Sequence, residues 1–514
     1  MKKIVWHPFL FALAPVISLY EHNKDIVDYN YLTKPLLISI ISVVIIFFIS
    51  KKIIKHKNKT ALIVTWLILL FWLFGNLADL FSFFPIIITL LIWVIIFIAV
   101  VSLIINSKKD FKNFTTYFNI LTIFLLLWPL SSLAYYEYNK SHHDTKQQIN
   151  TEFEQKTDTL PDIYYLVFDG YASQNTLKNV YDYDNSDFID YLTDKNFYVA
   201  KQSHSNYIQT YLSMNASLNF EYLDYIAEEK GKDSDDRKIL RNALKENKVY
   251  DFLKQAGYTF VGFPPTWTGN YKNTKADIHI NKKLANNDFD KLIIQTTLLG
   301  AFSSSEKYLD QYTEYYDFIF EEIPNLSEIS EPSFTYVHFL APHPPFMLNQ
   351  TKINLDDQNC WLNSHDGSHY FEKCPGIEKY RQSYVDQLKF INQEIKKMID
   401  KIINQSDTPP IIIIQSDHGP GSQLDWENLA ETNINERFGI INAYYVPSST
   451  KNFLYQSITP VNSFRVIFND VFGAEFEILE DKNYYSTWSQ PYNFIDITDQ
   501  LDQSGDLDPA LQQH

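Results

Sequence analysis

Acidic and histidine side chains follow two strongly apolar segments of the sequence. Asp169 comes directly after the run Ile163–Phe168, and the pair Asp417-His418 comes shortly after Ile411–Ile414. A carboxylate beside an imidazole at a strand end suits a divalent cation with oxygen and nitrogen ligands, zinc or manganese above all. Asp169 alone could equally cap a helix. For Asp417 and His418 we favour metal binding over an incidental turn.

The elements that would position these residues are short strands. Five apolar runs predict them: Ile163–Phe168, Tyr258–Phe263, Phe334–Phe339, Ile411–Ile414 and Ile440–Val446. Most are uninterrupted rather than alternating, which is typical of strands covered on both faces. Helical patterns such as Asp235–Ala256 and Tyr380–Ile403 lie between them, so we predict an α/β doubly wound, mostly parallel sheet. Ligands bind at the carboxyl ends of such strands.

Composition and charge divide the 514-residue chain in two. Residues 1–135 hold 12 Lys, no Arg and 5 acidic residues, which gives a net charge of +7. The remainder has a net charge of −24, so that the whole chain has −17. An acidic chain without clustered basic residues is not expected to bind nucleic acid. Two cysteines exclude a disulfide-dense scaffold.

The first 136 residues are expected to form a transmembrane domain with five helices. Five long uncharged runs support this: Ile4–Tyr20, Pro35–Ser50, Thr60–Ala78, Leu80–Ser107 and Asn113–Tyr136. A helix of about 20 apolar residues crosses a bilayer. The polar stretch 137–160 is interpreted as a linker or juxtamembrane helix.

Lysines predict the orientation of these helices. They cluster before the first run, between the second and third, and between the fourth and fifth. Lysine-rich loops stay in the cytoplasm, so the N-terminus is expected inside and everything after Tyr136 outside, in the periplasm or extracellular space. The first run could instead be a cleaved signal peptide, which would leave the other orientations unchanged.

Together these motifs resemble the alkaline phosphatase superfamily, specifically its sulfatase-like branch. In that branch an acid ends the first strand and Asp-His-Gly ends a late one, and both bind a metal that also holds the nucleophile. The resemblance therefore implies Asp169, Asp417 and His418 as metal ligands, joined by the nucleophile. It covers roughly residues 160–470, within a predicted catalytic domain of 161–480. Residues 481–514 are expected to be a partly disordered C-terminal extension.

The resemblance also indicates a nucleophile. The family places it at the start of a helix some forty residues after the first acid, and Thr210 occupies the similar position here, followed by Ser213 as in the Thr-x-x-Ser of transferase members. Neither cysteine lies there, which disfavours a formylglycine-dependent sulfatase. Other hydroxyls stay open as rivals: Thr176, Ser203, Ser205 and Ser213.

The stretch from Tyr336 to Phe346 resembles the family's histidine-rich loop, in which a histidine contacts the transferring group or leaving oxygen. His343 lies in the loop and is the preferred candidate, whereas His338 is expected to be a buried, hydrogen-bonded histidine. The membrane anchor in front resembles that of lipoteichoic acid synthases and lipid A phosphoethanolamine transferases.

This resemblance implies a transferase that moves a phospho-alcohol group from a phospholipid donor to a surface glycan or glycolipid acceptor through a phosphothreonine. Two alternatives stay open: a hydrolase of phosphodiesters or sulfate esters, and a catalytically silent scaffold in envelope assembly.

Cys360 and Cys374 have two interpretations. With His365 and His369 between them, they could bind zinc. A location outside the cytoplasm favours a disulfide instead.

Overall fold

The computed structural model describes residues 4–24, 27, 29–78, 84–142, 160–263, 275–280, 288–302, 305–348, 360, 363–374 and 376–501. The chain forms two compact units. One contains residues 1–146 together with 283–308, and the other contains 147–282 together with 309–514. Trp267 and Trp361, two tryptophans that the sequence offers for stacking on a sugar, lie outside the described residues, and so do residues 502–514, the end of the predicted extension.

The first unit is built from the N-terminal helices, which are His7–His22, Asn30–Ile54, Lys57–Ala78, Ile86–Asn106 and Lys112–His142. All but the first are long and apolar enough to cross a membrane, judged by length and composition. The first has only 16 residues, so the prediction of five crossings stays a prediction. The fifth helix runs through the first six residues of the predicted linker, and 143–159 lie outside the described part of the chain.

A segment that the sequence analysis placed in the catalytic domain packs in this first unit. The helix Asp288–Thr296 and the 3-10 turn Leu298–Phe302 belong to it. Lys34 Nζ lies 2.7 Å from Asp290 Oδ2, and Phe289 packs with Val16 and Tyr20. No apolar run of membrane-spanning length marks this segment, so only the tertiary structure reveals it.

The second unit contains a seven-stranded sheet in the order β2-β7-β6-β1-β5-β3-β4. Its strands are β1 Ile163–Phe168, β2 Tyr198–Val199, β3 Thr259–Gly262, β4 Ile278–His279, β5 Ser333–Phe339, β6 Ile411–Gln415 and β7 Asn442–Tyr445. Strands β6, β1, β5, β3 and β4 pair in parallel, and β7 is antiparallel to β6 and to β2. The predicted doubly wound, mostly parallel sheet is confirmed. A separate hairpin pairs β8 Tyr484–Tyr485 with β9 Ile495–Asp496.

Helices surround this sheet. Their bounds are Gln174–Tyr181, Ser186–Asp194, Thr210–Asn219, Asp224–Lys230, Lys238–Lys245, Lys248–Gln255, Ser305–Asn325, Gly367–Phe371, Ile377–Gln405, Ile434–Phe438, Ser448–Lys451 and Pro460–Phe472. Short 3-10 turns occur at Leu326–Glu328, Leu429–Glu431 and Thr498–Gln500. The helix Pro460–Phe472 packs Phe464 and Phe468 on the same core as Tyr165 of β1.

The single helix expected over 235–256 is wrong, because the structure has two helices there. Asn247 separates them with an extended backbone, and its side chain accepts a hydrogen bond from the backbone N–H of Tyr250 at 3.0 Å. Asparagine favours this capping role over a helix interior. The apolar periodicity continues through the break, so it does not reveal the break.

Candidate active site

Asp169 lies at the carboxyl end of β1, in the middle of the sheet. Its backbone N–H donates to Phe339 O at 2.9 Å, and its carbonyl accepts from the N–H of His343 at 3.0 Å. The next residue, Gly170, has a φ of +71°, which favours glycine because a Cβ is strained in this region. The turn after β1 is thus tied to the loop after β5.

Asp417 and His418 follow β6, which pairs with β1 on the side opposite β5. His418 Nε2 lies 3.3 Å from Asp417 Oδ2 and 3.5 Å from Asp169 Oδ1. The following Gly419 is required by close approach, because a Cβ there would collide with the carbonyl oxygen of Glu436. Parallel neighbours end at one edge of the sheet, and this brings the three side chains together.

The protonation state of His418 suits metal binding. Its Nδ1 lies 2.9 Å from the carbonyl oxygen of Gly419, and since a carbonyl only accepts, Nδ1 carries the proton and Nε2 the lone pair. Burial is the main reason that the pKa of His418 falls to about 3, to which the charge of Arg437 also contributes. The imidazole is therefore neutral, the form that coordinates cations.

Thr210 is the first residue of the helix Thr210–Asn219, and its hydroxyl faces this group. The Oγ1 atom lies 3.0 Å from His418 Nε2. Since that nitrogen carries the lone pair, the threonine hydroxyl donates to it. Thr210 is half-buried, whereas His418 is buried.

The rival hydroxyls are engaged or buried elsewhere. Ser203 donates to Ile458 O at 2.6 Å, Ser213 to Tyr207 O at 2.7 Å and Thr176 to Asn435 O at 3.2 Å. Ser205 is fully buried. Among the five candidates, Thr210 is the one for which the structure gives a contact with His418.

His338 lies with the carboxylates of Asp169 and Asp417, although the sequence analysis expected only a buried, hydrogen-bonded histidine. Side-chain atoms of Asp169, His338 and Asp417 lie within 4.8 Å of one another. Burial alone lowers the pKa of His338, but hydrogen bonding to Asp169 and the charges of Asp417 and Asp169 outweigh it and raise the pKa. The sequence signal that could have placed His338 near Asp169 was its position in β5, where it pairs with Val167 of β1.

These residues fit a divalent cation. Asp169 Oδ1 and Asp417 Oδ2 are buried, and neither has a hydrogen-bond partner among the described residues. A buried carboxylate oxygen without a donor is costly unless a cation compensates it. Two carboxylates and a neutral imidazole make a mixed oxygen and nitrogen ligand set.

His343 lies beside this group rather than within it. Its ring centroid is 6.1 Å from that of His418. Its Nδ1 donates to Pro344 O at 2.7 Å, and its Nε2 lies 3.6 Å from Asp366 Oδ2. Since Nδ1 is held by the backbone, Nε2 is the nitrogen able to exchange a proton with a substrate.

Asp366 and Arg437 form a buried ion pair behind His343 that the sequence analysis missed. Arg437 Nη1 lies 2.5 Å from Asp366 Oδ2 and 2.9 Å from Gly419 O, and its Nε donates to Ile208 O at 3.0 Å. Burial raises the pKa of Asp366, but the charges of Arg437 and His343 outweigh burial and lower the pKa to about 2. The pair ties the Asp-His-Gly turn to the segment before Thr210.

Cys360 and Cys374 are joined by a disulfide. A zinc site would need both sulfurs as thiolates, and His365 binds Asn363 Oδ1 through Nδ1 at 2.7 Å. The disulfide closes the segment that carries Asp366.

Comparisons with known proteins were made for sequence and for structure. The family model described as Sulfatase matches residues 161–464. No curated protein matches the chain. Solved structures are similar at low identity: the C-terminal periplasmic domain of EcEptC from Escherichia coli (13% identity, TM-score 0.42, covering 68% of this chain and 96% of that one), lipooligosaccharide phosphoethanolamine transferase A from Neisseria meningitidis (13%, 0.41, 91% and 93%), and phosphonate monoester hydrolase of Agrobacterium radiobacter (12%, 0.39, 63% and 80%).

Proposed function

This chain belongs to the sulfatase family and is an enzyme of the sulfatase-like type, and from this premise we propose that it is a metal-dependent transferase anchored in a membrane. It moves a phospho-alcohol group, of the phosphoethanolamine or phosphoglycerol type, from a phospholipid to a cell-surface glycan or lipid. Its catalytic domain lies within residues 161–480, apart from the segment 283–308, which packs with the N-terminal helices.

The observation that supports this proposal is the contact between Thr210 and His418, 3.0 Å long, beside two carboxylates with uncompensated oxygens. In the first step Thr210 Oγ1 gives its proton to water and bonds to phosphorus, while the bond from phosphorus to the diacylglycerol oxygen breaks and that oxygen takes a proton from His343. In the second step an acceptor hydroxyl attacks phosphorus, the bond from phosphorus to the Thr210 oxygen breaks, and the proton of the acceptor hydroxyl passes to the departing Thr210 oxygen. A cation held by Asp169, Asp417, His418 and Thr210 would lower the pKa of the Thr210 hydroxyl and neutralise phosphoryl charge.

His343 supplies the proton for the departing oxygen. Its Nδ1 is hydrogen-bonded to Pro344 O, so Nε2 is the nitrogen that exchanges a proton, and Asp366 Oδ2 lies 3.6 Å from this same nitrogen. A carboxylate at this distance stabilises the imidazolium from which a proton is given.

The membrane helices suit a donor that never leaves the bilayer. Four helices have the length and apolarity for crossing. The lysine clusters orient the catalytic domain toward the periplasm or the extracellular space. Anchoring the enzyme restricts its search for a lipid donor to the membrane surface.

Hydrolysis is the second candidate, because the matching family model is that of the sulfatases. Incubation of the full chain with head-group-labelled phospholipid and cell-surface glycan separates the two. Transfer leaves the label on the glycan, and hydrolysis leaves it as the free phospho-alcohol. Label found only in the free product would contradict the transferase.

A further inference from the structure

A cluster of aromatic side chains lies beside the active site, and its components come from three distant parts of the chain. We call Trp426, Trp488, His369 and the stacked Arg237 the tryptophan rim. The two indole rings are 5.2 Å apart between centroids, and His369 lies 6.1 Å from Trp426 and 5.9 Å from Trp488. The guanidinium of Arg237 is 4.4 Å from the centre of the Trp488 ring.

One end of the rim is bonded to the residue before Thr210. Arg237 Nη2 donates to Gln209 Oε1 at 3.3 Å, and Gln209 Nε2 donates to Thr487 O at 3.0 Å. Thr487 precedes Trp488 in the sequence. The exposed indole therefore stands next to the helix start that carries the nucleophile.

The other end of the rim is bonded to the histidine side of the site. Trp426 Nε1 donates to the carbonyl oxygen of Asp366 at 2.8 Å, and the carboxylate of Asp366 faces His343. The rim thus contacts both the residue before Thr210 and the residue whose carboxylate faces His343.

The side chain of Trp488 is partly exposed, although its backbone alone anchors the segment. It is 41% exposed, whereas Trp426 is 5% exposed. Its backbone N–H already anchors the segment by donating to Trp426 O at 2.9 Å. A partly exposed indole held in place by a buried one can stack on a ligand.

The neighbours of Trp488 favour a neutral, polyhydroxylated ligand. Glu427 accepts hydrogen bonds from the backbone and side chain of Ser489 at 3.0 and 2.5 Å, which fixes its carboxylate on the residue after Trp488. Arg237 is already the cation–π partner of the indole ring, so an ammonium head group would have to compete with it for that ring. A sugar ring can stack on the free surface and give its hydroxyls to Glu427.

We propose that the tryptophan rim binds a sugar unit of the acceptor and presents its hydroxyl to the phosphorylated Thr210. This rests on the proposed transferase function and adds to it that the acceptor is recognised as a carbohydrate. Trp488 is the central binding residue.

The test measures glycoside binding separately from formation of the covalent adduct on Thr210, with the full chain in phosphatidylcholine nanodiscs free of glycoside detergent. The probes are the methyl glycosides of glucose, galactose and N-acetylglucosamine, observed by saturation-transfer NMR. We expect saturation of at least one glycoside, a loss of at least tenfold in affinity in Trp488→Ala, and retention in Trp488→Phe, which keeps a stacking ring. Phe453→Ala removes another exposed aromatic side chain, 62% exposed, and should bind the glycosides as wild type does.

The proposal is overturned if no glycoside is saturated, or if Trp488→Ala binds as wild type does. It is also overturned if Trp488→Phe is as defective as Trp488→Ala while both melt like wild type, because stacking would then not explain binding. A covalent adduct on Thr210 is scored separately by mass spectrometry. Its absence in wild type would defeat the transferase proposal whatever the glycosides do.

Discussion

The hydroxyl of Thr210 lies 3.0 Å from Nε2 of His418, although 208 positions separate the two residues in the sequence. The first begins a helix and the second follows a central strand. Because His418 Nδ1 is committed to a backbone carbonyl, Nε2 is unprotonated and accepts from the hydroxyl, and it lies 3.5 Å and 3.3 Å from carboxylate oxygens of Asp169 and Asp417. The predictions below follow from this arrangement.

Replacing Thr210 should separate catalysis from folding. Thr210→Ala removes the attacking oxygen, so we expect loss of turnover and of any phospho-alcohol adduct, measured by product formation and intact-protein mass. Thr210→Ser keeps an oxygen at the same position and should retain activity and the adduct. Full activity in Thr210→Ala with an unchanged melting temperature would assign the nucleophile to another residue.

Removing the metal should abolish activity, and removing a carboxylate should abolish metal binding. Asp417→Asn leaves the site one negative charge short, so the bound metal should fall well below one equivalent in elemental analysis. Treatment with a chelator should inactivate wild type, and zinc or manganese should restore it. Asp407→Asn changes an exposed carboxylate just before β6 and should keep its metal. Equal metal content in Asp417→Asn and wild type would argue against this site.

His343→Gln should slow the reaction in a way that depends on the leaving group. A general acid accelerates a reaction by about 100- to 10,000-fold, so we expect a loss of that order with a phospholipid. A p-nitrophenyl phosphodiester has a leaving oxygen that needs no proton, so the rate loss of His343→Gln should be much smaller with this substrate. His365→Gln, an exposed histidine in the same region, serves as control. Equal losses with both substrates would refute the acid role.

Arg437→Met should destabilise the catalytic domain and change its response to acid. Leaving Asp366 buried without its partner costs about 3–5 kcal/mol, seen as a lower melting temperature. The pKa of Asp366 is lowered to about 2 in the folded state. Its contribution to stability is therefore complete above about pH 4, its unfolded pKa, and is lost as the pH falls toward 2.

Without Arg437, the pKa of Asp366 rises and the acid-induced loss of stability begins at higher pH. Melting curves between pH 3 and 7 measure this. The double variant Asp366→Asn/Arg437→Met removes both charges and should recover part of the melting temperature. Identical pH profiles for Arg437→Met and wild type would show that the ion pair does not control this carboxyl.

Replacing Cys360 and Cys374 by Ser should lower stability by about 3 kcal/mol, the loop-closure value for this separation. Because Asp366 lies in the closed segment, turnover should fall as well. Denaturation of the double variant and of reduced wild type should agree. A destabilised variant with undiminished turnover would show that the disulfide does not help to hold Asp366 against His343.

The sequence alone determined the buried strands and the acidic and histidine residues that follow them. Uninterrupted apolar runs predict buried strands because a strand covered on both faces excludes polar side chains along its whole length. An acid at the end of such a run is visible locally, as at Asp169 and at Asp417-His418. The same local pattern failed at Asn247, where apolar periodicity continues although a side-chain cap ends one helix and begins another.

Only the tertiary structure decided which side chains these residues contact. The resemblance favoured Thr210 but left four rival hydroxyls open, and the packing of one helix start against the end of β6 brings Thr210 to His418. His338 joins the carboxylates because β5 is the parallel neighbour of β1. Arg437, Asp366 and Trp488 carry no local mark of their roles. Their partners lie tens to hundreds of residues away, and a contact between distant segments exists only once the sheet has brought its strand ends to one edge.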